Sequence, residues 1–429
     1  MSTLTSLTSQ SCQTLDDWLC FIEQQHPQHK IELGLERVRQ VAERAGLQQL
    51  PGRVVLIAGT NGKGTTARCM EQLLLAQGLT VAVYSSPHLL RFNERLRFNL
   101  QDATDADWIR ALAFIEQLRQ DIELTYFEFT TLAAFYLIKD FQPDIALIEV
   151  GLGGRLDATN IVEPELSILT TIDLDHQDWL GPDREAIGRE KAGVFRANQV
   201  AVVAEQQLPA SVVDVAACLG TQLLRAGQDY HWQAGQNSWS WHSASVALTE
   251  LPLLSIPLQN AATALMALQQ LGLLSEMPAQ ITQALAEVSL AGRMHWLQQK
   301  PAVLLDVAHN PQSIQYLAEQ LKTLRIGHRR LIALCGMMTD KIKPGALDAL
   351  LELIDHWVLV SLPRPRGAAA ELLLSILPDN CSVSCFNDVQ SGFEQTLQQL
   401  QQDDLLLVFG SFVTVSAVLG LSTALPEAK

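Results

Sequence analysis

Seven residues, Gly59-Thr60-Asn61-Gly62-Lys63-Gly64-Thr65, have the composition of a loop that grips phosphate. Glycines let the backbone bend tightly and turn several N–H groups toward one point. A helix starting there adds its partial positive charge. Lys63 supplies a full positive charge, and Thr65 a hydroxyl suited to Mg²⁺. The common spacing G-x-x-x-x-G-K-[ST] is not met. This loop is shorter before the lysine, and Gly64 separates Lys63 from Thr65. The plain alternative is a glycine-rich turn with a surface lysine. The flanks argue against it: Arg53 to Ala58 is a short apolar run rich in β-branched residues, and Thr66 to Ala76 reads as an apolar helix.

Further polar residues stand at the ends of other apolar runs. Glu149 closes the run Ile145 to Val150 and is followed by Gly151-Leu152-Gly153-Gly154-Arg155. A carboxylate there suits a Mg²⁺ ligand or a base near a nucleotide, or else is satisfied by the N–H groups of the glycine turn. His176 follows Ser167 to Ile172, beside Asp173, Asp175 and Asp178. Ser86 follows Val81 to Tyr84 and precedes Pro87, where a turn or cap serine is the simpler reading. Lys191 lies in a semi-apolar helical stretch that ends near Gly193, and such a lysine is ordinarily solvated. Asp306-Val307-Ala308-His309-Asn310-Pro311 follows the run Ala302 to Leu305. Asp306 suits ribose hydroxyls, and His309 and Asn310 a carboxylate or phosphate. An Asx-type turn closed by Pro311 is the alternative.

Apolar strands alternating with helices, such as Asp105 to Arg119 and Thr130 to Lys139, predict a parallel sheet buried on both faces. Ligands of such sheets sit beyond the carboxyl ends of the strands, where these polar clusters fall. Residues 220–256, with Trp232, Trp239 and Trp241 among Gly, Ser and Gln, predict a small β subregion. A helix is expected from Gln259 to Leu271. At 429 residues two domains are the default, and the pattern breaks around Leu290 to Pro301. The expected division is 1–297 and 298–429, both α/β. The formal charge of −16 argues against a nucleic-acid partner. No apolar run reaches about 18 residues, so no membrane span is expected. Seven scattered cysteines and a polar N-terminus without a signal-peptide pattern predict reduced thiols in a cytoplasmic protein.

In order along the chain, the phosphate loop, Ser86-Pro87-His88, Phe127-Glu128, Glu149 to Asn160, Asp175-His176, Glu190-Lys191-Ala192-Gly193, Asp306…His309-Asn310-Pro311 and Gly410-Ser411-Phe412 resemble the Mur ligase superfamily. Within it they are most similar to folylpolyglutamate synthases, and Leu33 to Val38 resembles the bacterial type that is also a dihydrofolate synthase. The likeness covers roughly residues 15–415. Val307 stands where the family often has glycine, and Gly292-Arg293 is followed by Met294-His295-Trp296.

The resemblance implies an N-terminal P-loop ATPase domain and a smaller Rossmann-like C-terminal domain. It assigns ATP to Gly59, Thr60, Asn61, Gly62, Lys63, Gly64, Thr65, Asn260, Arg293 and Asp306, and Mg²⁺ to Ser86, Glu149 and His176. It makes Lys63, Lys191 and His309 catalytic, with Lys191 matching the lysine carbamylated in this superfamily. Leu33, Gly34, Phe127, Glu128, Arg155 and Asp157 match the pterin-binding region. The implied activity is ATP-dependent ligation of L-glutamate to dihydropteroate and to folates through an acyl phosphate. The implied partners are these small molecules, with no nucleic acid and no membrane, and a monomeric chain.

Overall fold

The computed structural model describes residues 8–423. The chain divides into two compact units, Met1–Val288 and Ser289–Lys429. The first is built on eight strands: β1 (Arg53–Ala58), β2 (Val81–Tyr84), β3 (Leu96–Phe98), β4 (Gln101–Asp102), β5 (Ile145–Glu149), β6 (Leu166–Leu169), β7 (Val200–Val203) and β8 (Gln222–Arg225). Their order is β4-β3-β2-β5-β1-β6-β7-β8. The six from β2 to β8 run parallel, and β3 and β4 extend one edge antiparallel.

Side chains of β1 alternate between two cores. Val54, Leu56 and Ala58 join one face, Val55 and Ile57 the other. Helices Leu15–Gln25, Glu36–Ala45, Asp105–Arg119 and Tyr126–Phe141 cover the first face through Trp18, Val38, Trp108 and Phe135. Helices Lys63–Leu75 and Leu258–Gln270 cover the second through Met70 and Leu265. Strands covered on both sides need no polar face, hence the unbroken apolar runs at 53–58 and 145–149. Because the central strands are parallel, the carboxyl ends of β2, β5, β1 and β6 lie side by side along one edge.

Residues 220–256 split as their composition does. β8 joins the main sheet, while β9 (Tyr230–Ala234), β10 (Ser238–Ser243) and β11 (Ala247–Pro252) form a separate antiparallel sheet. Its tryptophans are anchors: Trp241 is fully buried and its Nε1–H donates to Ala262 O at 3.1 Å. That bond fixes the helix Leu258–Gln270, whose Asn260 lies against Gly62 of the phosphate loop.

The second unit holds β12 (His295–Gln299), β13 (Ala302–Leu305), β14 (Leu331–Cys335), β15 (His356–Val360), β16 (Val383–Phe386) and β17 (Leu405–Phe409), in the order β12-β13-β17-β14-β15-β16. All are parallel except β12. The expected division after residue 297 cuts through β12, which pairs with β13. Val307 N–H donates to Gly292 O at 2.9 Å, so Gly292-Arg293 also belong to this unit.

Other boundaries shift for local reasons. The first helix after β1 starts at Lys63, not Thr66, because Gly62 at φ +87° turns the chain directly into it. The helix expected from Thr130 starts at Tyr126, capped by Thr125 and Glu128. β6 ends at Leu169, not Ile172, because Thr170 and Thr171 turn their hydroxyls to the phosphate loop. Among the described residues no helix is long and apolar enough to cross a membrane.

The Lys63–Leu75 helix is fastened to the sheet edge by Glu71, whose side chain is fully buried. It accepts from Arg68 (3.2 Å), Arg97 (3.0 Å) and Leu100 N–H (3.1 Å). Removing one member of a buried ion cluster leaves the others desolvated and unpaired. Glu71→Ala should therefore lower urea-unfolding stability by about 3–5 kcal/mol, and Glu71→Gln by less. Unchanged midpoints would show that the cluster contributes nothing.

Candidate active site

The loop after β1 is shaped by side chains from the next strand. Gly59 has φ +152°, and a Cβ there would lie 1.8 Å from Thr170 Oγ1. Thr170 Oγ1 donates to Asn61 O at 2.7 Å, and Thr171 Oγ1 accepts from Asn61 N–H at 2.9 Å. Thr60 N–H donates to Thr171 O at 2.7 Å, and Thr60 Oγ1 accepts from Asp173 N–H at 3.0 Å. The threonine pair was not singled out from the sequence; its signal is two hydroxyls immediately following a buried strand.

Two ammonium groups converge on one carbonyl of this loop. Lys63 Nζ donates to Gly59 O at 3.1 Å and Thr60 O at 3.3 Å. Lys191 Nζ donates to the same Gly59 O at 2.9 Å. Lys191 sits in the helix Arg184–Ala192 and is only 4% exposed, so it is not the solvated lysine its sequence context suggests. Burial first, and then the charge of Lys63, depress its pKa to about 7, against the pull of Asp175 and Asp157. Glu149 balances the cluster, with Oε1 3.8 Å from Lys63 Nζ. Its Oε2 would lie 3.2 Å from a Cβ on Gly64. A side chain between Lys63 and Thr65 would therefore press on the carboxylate, which gives the departure from the common loop spacing a physical reason.

Ser86 and His176 lie at the same carboxyl edge. Ser86 follows β2, which pairs with β5 through Tyr84 and Ile148. His176 starts the short helix Gln177–Leu180, its Nε2 4.0 Å from Asp175. The neighbouring His88 Nδ1 accepts from Arg95 Nε at 2.9 Å, and burial with that cation pushes its pKa down to about 4.

The residues matched to pterin binding fall into two kinds. Phe127 packs on Gly151, where a Cβ would lie 2.5 Å from its ring, and its ring centroid is 6.3 Å from that of Tyr84. Arg155 is half exposed and pairs with Glu190 at 2.8 Å. Leu33 and Gly34 are partly exposed, and Gly34 N–H donates to Leu156 O at 3.3 Å. Glu128 and Asp157 instead face inward. Glu128 binds Arg37 Nε (2.8 Å) and Thr125 N–H (2.7 Å). Asp157 accepts from Leu152 N–H (2.8 Å), Thr159 N–H (3.0 Å) and Thr159 Oγ1 (2.6 Å), and burial raises its pKa. These two carboxylates hold the walls on which Phe127 and Arg155 stand.

In the second unit Asp306 directly follows β13 and is buried, accepting from Met294 N–H (2.9 Å) and Ala308 N–H (2.8 Å). Burial raises its pKa while Arg293 opposes the shift. Arg293 lies over the Phe412 ring, 5.6 Å from its centroid. His309 Nδ1 is 2.8 Å from Val307 O. A carbonyl only accepts, so Nδ1 carries the proton and Nε2 is the basic nitrogen of the neutral ring. Asn310 caps the helix Pro311–Leu324, its Oδ1 accepting from Ser313 N–H at 3.0 Å.

Residues 57–267 match the Mur ligase middle domain, and 292–412 the Mur ligase glutamate ligase domain. The dihydrofolate synthase/folylpolyglutamate synthase of Escherichia coli is 43% identical over 412 residues, covering 96% of each chain. The chain belongs to this family of Mur ligases. The Haemophilus influenzae member is 41% identical over 423 residues, 94% of this chain and 96% of that one. Among solved structures, E. coli FolC in complex with DHPP and ADP is 43% identical and superposes with a TM-score of 0.92, over 96% of this chain and 98% of that one. The Yersinia pestis bifunctional enzyme complexed with AMPPNP and Mn ion is 47% identical, TM-score 0.88, over 95% and 98%.

A divalent metal of this family fits the residues present. The buried Glu149 carboxylate and the hydroxyls of Thr65 and Ser86 are hard oxygen donors. Among the described residues no group of three or more His, Cys, Asp and Glu forms a cage. Such a sparse set suits a small, hard cation that completes its shell with phosphate oxygens and water.

The depressed pKa of Lys191 has a signed consequence. Between pH about 7 and 10.5 the unfolded chain binds more protons at this lysine than the native protein. Its destabilising effect is thus complete below pH 7 and fades toward pH 10.5. In CO₂-free buffer Lys191→Met should be more stable than the parent at pH 6, on the order of a few kcal/mol. The gain should shrink steadily toward pH 10. A gain independent of pH, read by urea unfolding, would contradict a buried amine.

Proposed function

We infer that this chain ligates L-glutamate to pterin-bearing carboxylates. With dihydropteroate the product is dihydrofolate; with folates already carrying glutamate the tail grows by one residue. ATP becomes ADP and phosphate. The observation that carries the reading is the convergence of Lys63, Lys191 and Glu149 on a phosphate loop in a chain that belongs to this ligase family. The chain acts as a monomer in the cytoplasm, and its charge of −16 supports the absence of a nucleic-acid partner.

A carboxylate resists attack by an amine because it is negative and lacks a leaving group. Transfer of the γ-phosphoryl group of ATP to the acceptor carboxylate supplies the leaving group as an acyl phosphate. The α-amine of L-glutamate then adds, and the tetrahedral adduct expels phosphate as the amide forms. The loop amides and Lys63, held by the threonine pair, meet the charge that develops on the transferring group. Thr65, Ser86, Glu149 and His176 would hold Mg²⁺, which when bound neutralises phosphate charge. Asn260, Arg293 and Asp306 contact the nucleotide, and His309 Nε2 serves as the base that accepts a proton from the attacking amine. Leu33, Gly34, Phe127 and Arg155 contact the pterin acceptor, on walls held by Glu128 and Asp157.

Lys191 acts as a carbamate. A neutral amine, not an ammonium, adds to CO₂, and a pKa near 7 leaves much of this lysine neutral at physiological pH. The carbamate also replaces a second cation beside Lys63 with an oxygen ligand.

Incorporation of labelled glutamate into dihydropteroate and into a reduced folate monoglutamate tests the reading. The parent should use both. Lys63→Ala, folded by circular dichroism, should lose both by at least about 10²-fold. Lys191→Ala should lose both and recover in part with a small added carboxylate, and intact Lys191 should gain the mass of one CO₂. Near-normal turnover by folded Lys63→Ala would sink the assignment.

A further inference from the structure

Arg95 is a buried cation without an anion beside it. It ends the short helical turn Phe92–Arg95 just before β3 and is 2% exposed. Its carbonyl oxygen accepts from Ser85 N–H at 2.9 Å, which ties it to the carboxyl end of β2. Buried charges are ordinarily paired. Among the described residues no carboxylate pairs with this guanidinium, whose one hydrogen bond runs from Nε to His88 Nδ1 at 2.9 Å. The adjacent Glu94 carboxylate is engaged elsewhere, accepting from the N–H groups of Leu89, Leu90 and Arg91 at 2.7, 2.8 and 2.7 Å. The guanidinium carbon lies 5.3 Å from the Phe92 ring centroid and 5.9 Å from that of Tyr126. Neither Nη is both enclosed and partnerless, as Trp108 Nε1 is. With no acceptor among the described residues, the two Nη groups therefore open onto accessible space.

The opening lies beside the residues assigned to the acceptor. Tyr126 immediately precedes Phe127, and Ser85 immediately follows Tyr84, whose ring centroid is 6.3 Å from that of Phe127. His88 sets the fork. Its Nδ1 takes up the Nε edge of the guanidinium and leaves the two Nη groups to a ligand. A guanidinium only donates, and in a fixed geometry. It fits two acceptor atoms set side by side.

We propose that the Arg95 fork reads the O4 and N5 edge of the acceptor's pterin ring and so favours a pterin whose N5 carries no hydrogen. The proposal rests on the ligase reading above and names the form of acceptor that the site prefers. In oxidised and 7,8-dihydro pterins, O4 and N5 are neighbouring acceptors. They stand as O6 and N7 do in guanine, the pair that arginine binds bidentately in DNA. Full reduction to the tetrahydro ring places a hydrogen on N5. One N–H of the fork then faces another N–H, and that half of the contact is lost. Dihydropteroate thus gains a contact that tetrahydrofolates lack.

The test measures equilibrium binding to the full chain by fluorescence, without ATP or glutamate. Pteroate and 5-deazapteroate share one planar shape and differ in N5 against C–H. The parent should bind pteroate about tenfold more tightly, as expected for half of a bidentate contact. Arg95→Lys keeps the charge but not the fork, and should bind the two within about twofold of each other. His88→Phe keeps a ring beside Phe92 but removes the acceptor that orients Nε. It should lose part of the preference, and it carries the test should Arg95→Lys fail to fold. Dihydropteroate and tetrahydropteroate should follow the same order in the parent. Equal affinity of the parent for pteroate and 5-deazapteroate would overturn the proposal. So would a preference that survives in folded Arg95→Lys, or an equal loss with both ligands, which would place Arg95 against another part of the acceptor. Failure of the parent to bind any pteroate is a different result, and would overturn the acceptor reading itself together with this proposal.

Discussion

Two lysines, the buried Lys191 and the partly exposed Lys63, share one carbonyl oxygen, that of Gly59, and much of the first unit follows from making that arrangement tolerable. Like charges at such range in a dry site repel strongly. The molecule answers by depressing Lys191 toward neutrality and by setting the Glu149 carboxylate beside Lys63. The carbonyl in turn must be fixed. Thr170 and Thr171 fix it, and Gly59 is the only residue that fits beneath the Thr170 hydroxyl.

The supports reach well beyond the loop. Trp241 binds Ala262 O and so seats the helix that puts Asn260 against Gly62. Glu71 pins the loop's own helix to Arg97 on the antiparallel edge. The glycine-rich stretch after β5 is stitched to the Lys191 helix: Arg155 N–H donates to Glu190 O at 2.8 Å, and Asn160 Nδ2 donates to Gly193 O at 3.0 Å. Residues assigned to the acceptor and the lysine assigned to the carbamate are therefore parts of one bonded assembly. A preorganised site of this kind has little to rearrange as charge moves in the transition state.

Strand–loop–helix order around Lys63 was legible in the chain because parallel buried strands carry an unmistakable apolar run and glycines mark the turn. So was the grouping of polar clusters on one edge, since parallel strands share a direction. The small β sheet announced itself through alternating Ser238-Trp239-Ser240-Trp241, whose tryptophans point inward while the serines do not. Long-range partners were not legible. Nothing local in Glu128 or Asp157 distinguishes a ligand-facing carboxylate from one that holds Arg37 or a loop amide. Lys191 read as a solvated lysine because its burial comes from elements distant in sequence. The domain division was misplaced for the same reason, since the pairing of β12 with β13 is not written in either strand alone.

Chemically, ligation requires that the acceptor carboxylate be activated by phosphorylation at this loop, and the fate of its oxygens reports that step. A folate monoglutamate with both oxygens of its reacting carboxylate replaced by ¹⁸O is turned over with unlabelled ATP and glutamate in unlabelled water, and the released phosphate is analysed by mass spectrometry. Activation through an acyl phosphate predicts one ¹⁸O in each phosphate released and one retained in the new amide. Phosphate carrying no ¹⁸O, with amide still formed, would contradict it.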